Sequence, residues 1–215
     1  VVDELDDVSY ATQLLGNAEE KMRQNTYSLA SFLPLIVAVD HLTKDRNWTE
    51  RLLDEAAGHC HQLPAVKALG ETAAKGLADG DFGKQWLGKF YPSYLEQLKS
   101  SNAGAFEFLK MARAIREHLE DSDLTEQSLN AAAEHAESHF HYAYIADQVS
   151  RWGDPDRADA LYEKAAAVCT DGKALKELVQ VMRNAGVAED RQRAIYSNGD
   201  AIADTWKKLR WVEGI

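Results

Sequence analysis

Apolar residues return every three or four positions along HFHYAYIADQVSRW, the run from His139 to Trp152, where Phe140, Tyr142, Ile145, Ala146, Val149 and Trp152 share one stripe. Such a stripe predicts a helix with a face that must be covered. Gly153-Asp154-Pro155 stops it. Pro155 has no amide to donate and suits the first turn of a new helix, with Asp154 before it as N-cap. The second helix offers Ala158, Leu161, Tyr162 and Ala165, mostly small residues that let the first helix approach closely. The pattern predicts an antiparallel helical hairpin over 139–170.

The same pattern recurs. A shift of 34 residues lays Phe106, Phe108, Met111, Ala112, Ile115 and Ala131 onto Phe140, Tyr142, Ile145, Ala146, Val149 and Ala165. A shift of 33 the other way brings Leu175, Leu178, Val179, Met182 and Gly186 onto Tyr142, Ile145, Ala146, Val149 and Gly153. Three hairpin units are predicted over 105–200, a period typical of stacked helical pairs that cannot bury their stripes alone. Tyr142, Ile145, Ala146, Val149, Ala158, Tyr162 and Ala165, with Gly153-Asp154 in the turn, resemble the consensus positions of tetratricopeptide repeats. The resemblance is good over 139–170, fair over 105–138, and poor in the second helix of 172–200, where Arg191 and Asn198 replace small residues. It implies a solenoid of hairpins used for protein–protein interaction.

Before the repeats, Leu29, Phe32, Leu33, Leu35, Ile36, Val37 and Val39 crowd around Pro34 and predict one buried helix from Ser9 to Lys44, bent or restarted at that proline. Asn47 is the expected cap of a helix carrying Leu52, Leu53, Ala56 and Ala57. Another helix is expected from Pro64 to Ala78, stopped by Gly80-Asp81, and an aromatic-rich one from Phe82 to Lys99. The fold class is therefore all-α, either stacked antiparallel hairpins or a compact multi-helix bundle. One domain over 1–215 is expected, with an N-terminal helical half (1–104), three hairpins (105–200) and a C-terminal helix (201–215). The middle stretch PAVKALGETAAKGLADGDFGKQWLGKFYPSYLEQL is also similar in cadence to the haem-oxygenase-like superfamily, including its TenA-type bundles, over 64–153. That resemblance implies a helical-bundle enzyme or a metal-binding protein. Against its metal-dependent members, the chain has no Glu-x-x-His.

Composition narrows the partners. Among 215 residues, 45% are hydrophobic, and only four prolines interrupt them. No apolar run approaches the roughly 20 residues that span a bilayer. A net charge of −11 opposes nonspecific binding to nucleic acid or an anionic membrane. Cys60 and Cys169 form neither a disulfide framework nor a zinc motif and are expected as free thiols of a cytoplasmic protein. The opening VVDELDD lacks a methionine, as expected of a trimmed or processed chain, and shows no secretory-signal pattern.

Candidate chemistry is sparse. His135 and His139 stand four apart on one helix face, with His141 beside them, and are the only metal-ligand candidates by spacing. A structural site needs a fourth ligand, so no metal or other cofactor is expected. There is no nucleophile elbow, phosphate-binding glycine loop or dinucleotide fingerprint, and no catalytic residue is assigned. Charge gives the sharper signal. The first helices (105–118, 139–152, 173–184) hold seven Lys or Arg against four Asp or Glu; the second helices (124–137, 156–168, 188–200) hold four against nine. Lys110, Arg113, Arg116, Arg151, Lys176 and Arg183 fall off the apolar stripes. Arginine pairs with carboxylates through two parallel hydrogen bonds. The expected function is an adaptor or chaperone-like module that binds an acidic or C-terminal peptide of a protein partner, self-association remaining compatible. The plainer alternative is that these cations pair along their own helices, as Arg113 with Glu117.

Overall fold

The computed structural model of the chain describes residues 8–24 and 28–197, with the Tyr196 and Ser197 side chains left aside. The described residues form an all-α protein of eleven α-helices and no strand: α1 Val8–Gln24, α2 Leu29–Thr43, α3 Arg46–Gly58, α4 Leu63–Glu71, α5 Gly80–Ser100, α6 Ala105–His118, α7 Ser122–Glu134, α8 His139–Arg151, α9 Pro155–Ala167, α10 Gly172–Asn184 and α11 Glu189–Ser197. A π-turn, Thr72–Gly76, continues directly from α4. The helix expected over 201–215, and Asn198, lie outside the described residues.

Two compact units divide the contacts. The N-terminal unit holds the described residues up to Ser101 together with Lys110–Glu126; the C-terminal unit holds Asn102–Leu109 with the described residues from Gln127 onward. The boundary thus passes through α6 and α7.

In the N-terminal unit the expected single helix over 9–44 is two helices, and the break is not at Pro34. Helix α2 starts at Leu29 and runs through Pro34. Phe32, Leu35, Ile36 and Val39 are all buried, and that burial outweighs the one hydrogen bond a proline removes. The cap of α3 is Asp45, not Asn47: its carboxylate accepts from the Trp48 amide at 3.0 Å. The expected helix over 64–78 is α-helical only to Glu71 before it widens into the π-turn. Asp40 of α2 fixes the far end of that turn by accepting from the Ala78 amide at 2.6 Å, and a His41 ring nitrogen lies 3.0 Å from the Gly76 carbonyl. Helix α5 is capped by Asp79, which accepts from the amides of Asp81 and Phe82.

In the C-terminal unit the hairpin 139–170 forms as its turn chemistry requires. Gly153 adopts φ +93°, a left-handed conformation suited to glycine, and Asp154 caps α9 by accepting from the Arg157 amide at 3.1 Å. Asp171 caps α10 in the same way through Ala174. Helix α10 packs on α8, and α11 packs on α9. Phe106, in the first turn of α6, meets α8 edge-on at the rings of His141 and Tyr144. Arg157 of α9 donates to Asn130 of α7 at 2.9 Å. Phe140 does not join the apolar stripe: it is 36% exposed, while Ala143, Ile145, Ala146 and Val149 do the burying. Ile145, Ala146 and Val149 are thus covered as expected, Tyr142 and Trp152 are half-buried, and Ala143 takes the place expected of Phe140.

Ala146 and Ala165 are both fully buried. Ala146→Leu adds three carbons where no space is left, and the substitution should destabilise the protein by about 1–3 kcal/mol. Thermal denaturation checks this; an unchanged midpoint would mean that α8 does not pack as described.

Candidate functional site

The six candidate cations are all exposed. Lys110, Arg113 and Arg116 belong to the N-terminal unit; Arg151, Lys176 and Arg183 belong to the C-terminal one. The anticipated Arg113–Glu117 pair is absent, because Glu117 Oε1 is taken by Lys75 Nζ at 2.9 Å. Arg151 does pair along its helix: its Nε donates to both oxygens of Asp147 at 3.0 Å. That pair sits at the surface on the arginine's side, with Arg151 65% and Asp147 15% exposed at the side chain.

On α8 the exposed positions are Phe140, Tyr144 and Arg151; on α10 they include Lys173, Lys176, Gln180 and Arg183. Each set follows helical spacing. Tyr144 is 43% exposed and its ring meets that of Phe106 in a T-shaped contact. Beneath this surface Tyr162 is fully buried, and its hydroxyl has no hydrogen-bond partner among the described residues. Burial, reinforced by the negative charge of Asp147, pushes the Tyr162 phenol up from its ordinary range. It therefore stays protonated, close to the carboxylate that holds Arg151.

The three histidines singled out by spacing go separate ways. His135 lies against the Phe108 ring at 4.9 Å between centroids. His139 packs on Phe140 and approaches Glu177 of α10 at 3.4 Å. His141 accepts the Glu137 amide at Nδ1 and presents its ring to Phe106. Among the described residues no three His, Cys, Asp or Glu side chains are placed to hold a metal ion. Burial pushes the thiols of Cys60 and Cys169 up to about 11, so neither is a ready nucleophile at neutral pH.

The most tightly built polar cluster was not anticipated. In the N-terminal unit His118, the last residue of α6, has a fully buried side chain whose Nδ1 is hydrogen-bonded to the hydroxyl of Tyr91 on α5, itself fully buried. Gly70 of α4 lies against both: a Cβ there would stand 1.9 Å from the Tyr91 oxygen and 2.8 Å from His118 Nδ1. His118 Nε2 has no hydrogen-bond partner, its nearest acidic atom being Glu117 Oε1 at 3.9 Å. A lone histidine without a spacing motif carries no signal in sequence. The legible hint was a glycine inside the helix-forming run LPAVKALGE, which costs about 1 kcal/mol relative to alanine unless a close approach requires it.

A membrane role gains nothing from the helices: none among the described residues is long and apolar enough to cross a bilayer. No family model matches the chain, and no curated protein or solved structure was found to be similar to it.

Proposed function

We propose that the chain is a non-catalytic helical interaction protein, an adaptor or chaperone-like module, that holds an acidic or C-terminal segment of a protein partner along the exposed sides of α8 and α10. One observation carries this reading: α10 packs on α8 while α11 packs on α9, so the two first helices lie side by side and each keeps a helically spaced exposed stripe. The stripe on α8 ends in Arg151, and that on α10 carries Lys173, Lys176 and Arg183, in a protein that is otherwise acidic. A peptide carboxylate reaching Arg151 competes with Asp147 for it. An exposed ion pair contributes about 1 kcal/mol or less, so the exchange costs little. Tyr144 supplies a rigid amphipathic surface beside it, which favours a peptide over an isolated anion.

The reading uses three of the six cations. Lys110, Arg113 and Arg116 stand on the other unit and have no assigned part in it. The test is fluorescence anisotropy with labelled peptides rich in Glu and ending in a free carboxylate, against neutral peptides of equal length. Arg151→Glu and Lys176→Glu are each expected to weaken acidic-peptide binding by about tenfold or more, since a hydrogen bond to a charged group contributes roughly 1.5–3 kcal/mol, while the denaturation midpoint stays put. Raising salt should narrow the difference. Equal binding by wild type and both variants, or no preference for the acidic peptide, would remove the proposal's support.

A further inference from the structure

The Tyr91–His118 contact joins α5 to the end of α6 inside the N-terminal unit, and Gly70 brings α4 against it. Every ionisable group that acts on the imidazole comes from an element packed around it: Lys67 and Glu71 from α4, Lys75 from the π-turn, Tyr91 from α5 and Glu117 from α6 itself. Lys75 reaches across from the π-turn to hold Glu117. One salt bridge therefore links the π-turn to the residue next to His118. π-turns interrupt the regular helical ladder and are frequent at functional sites.

We propose that His118 is a proton-operated latch of the N-terminal unit, whose protonation reverses the Tyr91–His118 hydrogen bond and draws Glu117 away from Lys75, loosening the π-turn. The donor count gives the reason. The latch assigns the neutral ring the tautomer in which Nδ1 accepts from the Tyr91 hydroxyl and the proton sits on Nε2. An added proton goes to Nδ1, and the Tyr91 hydroxyl must then accept from it and turn its own proton away from its one hydrogen-bond partner among the described residues. With Gly70 packed against both atoms, the tyrosine cannot swing away without moving α4. The new positive charge acts on Glu71 and Glu117, and Glu117 Oε1, 3.9 Å from Nε2 and shared with Lys75, is drawn toward the ring at the expense of its hold on Lys75.

Burial holds the His118 imidazole below its ordinary value of 6.5; Glu117 and Glu71 pull it up, and Lys75 and Lys67 push it further down. The sign follows. A group depressed in the folded state contributes no penalty above its unfolded value, and its contribution to stability is lost as pH falls below about 6.5 and through the lower folded value. The latch is closed at neutral pH and opens on the acid side.

The test uses the full chain. Nitrogen-15 NMR of the histidine rings should find His118 neutral at pH 7 with the proton on Nε2, titrating with a midpoint below 6.5. Amide exchange across residues 72–76, corrected for intrinsic rates, should rise about tenfold or more between pH 7 and pH 5 in the wild type and stay flat in His118→Gln. Should His118→Gln not fold, Lys75→Met decides, since Lys75 is half exposed: freeing Glu117 must move the His118 midpoint upward. A midpoint at or above 6.5, an unmoved midpoint in Lys75→Met, or the same acid-dependent exchange in His118→Gln would each overturn the latch.

Discussion

Gly83→Ala is expected to lower the stability of the N-terminal unit by about 2 kcal/mol or more, while Gly88→Ala, five residues on in the same helix, raises it. Both glycines lie in α5. Alanine is the better helix former by roughly 1 kcal/mol, so propensity alone favours both replacements. Surroundings separate them. A Cβ at Gly88 meets nothing within 4 Å, and the position is exposed. At Gly83 the same atom would stand 1.8 Å from the Ala73 carbonyl oxygen and 2.8 Å from its carbon. The obstacle is backbone, in the middle of the π-turn, and cannot rotate aside as a side chain would. Relief requires α5 and the π-turn to separate, with loss of burial at Ala73, Leu77 and Leu87. Urea denaturation followed by circular dichroism at 222 nm measures both variants. A Gly83→Ala protein as stable as Gly88→Ala would mean that the π-turn does not sit against α5.

The contrast shows what kind of information the sequence holds. The hairpin over 139–170 was legible because its determinants are local: a 3.6-residue stripe, a glycine able to take φ +93°, an aspartate placed to cap, a proline in the first turn. The cations were legible as exposed for the same reason, lying off the stripes. Their pairing was not. Arg113 and Glu117 are correctly spaced for a helical pair, yet Lys75, some forty positions earlier, reaches Glu117 instead. Pro34 reads as a break and is not one, because the cost of a proline is set against burial contributed by other helices. The π-turn depends on the approach of α5 through Gly83, and the His118 cluster on residues from α4, α5 and α6. Neither leaves a periodic trace. Two units also share α6 and α7, so a division at residue 104 drawn from the onset of the repeats has a different origin from the contact boundary.

The last expected result concerns how α1 is held. Glu19 is the rare carboxylate that is largely buried, and it accepts from three side chains: Trp48 Nε1 at 2.7 Å, and Arg51 through Nη1 at 2.7 Å and Nη2 at 2.9 Å, with Arg23 pairing at 2.8 Å. Trp48 and Arg51 belong to α3, so this one carboxylate fastens α1 to α3. Burial pushes the Glu19 carboxyl up, but the hydrogen bonds from Arg51 and Trp48 and the charges of Arg51 and Arg23 outweigh it, and the net direction is down. Its contribution is therefore complete above about 4.5 and is lost as pH falls through the lower folded value. Glu19→Gln keeps the shape, removes the charge, and turns an amide NH2 toward guanidinium donors. With Arg51 half exposed, water recovers part of the loss, and the cost is about 2 kcal/mol rather than the 3–5 of a fully buried pair. Because Glu19 ties α1 to α3, the loss should appear as local opening: amide exchange in Val8–Gln24 rises roughly 30-fold in Glu19→Gln at pH 7, while exchange in α8 and α9 is unchanged. Lowering the pH toward 3 should speed α1 exchange, after correction for intrinsic rates, in the wild type and much less in the variant. Uniform acceleration throughout the chain, or none in α1, would show that the helix is held by its apolar face and not by Glu19.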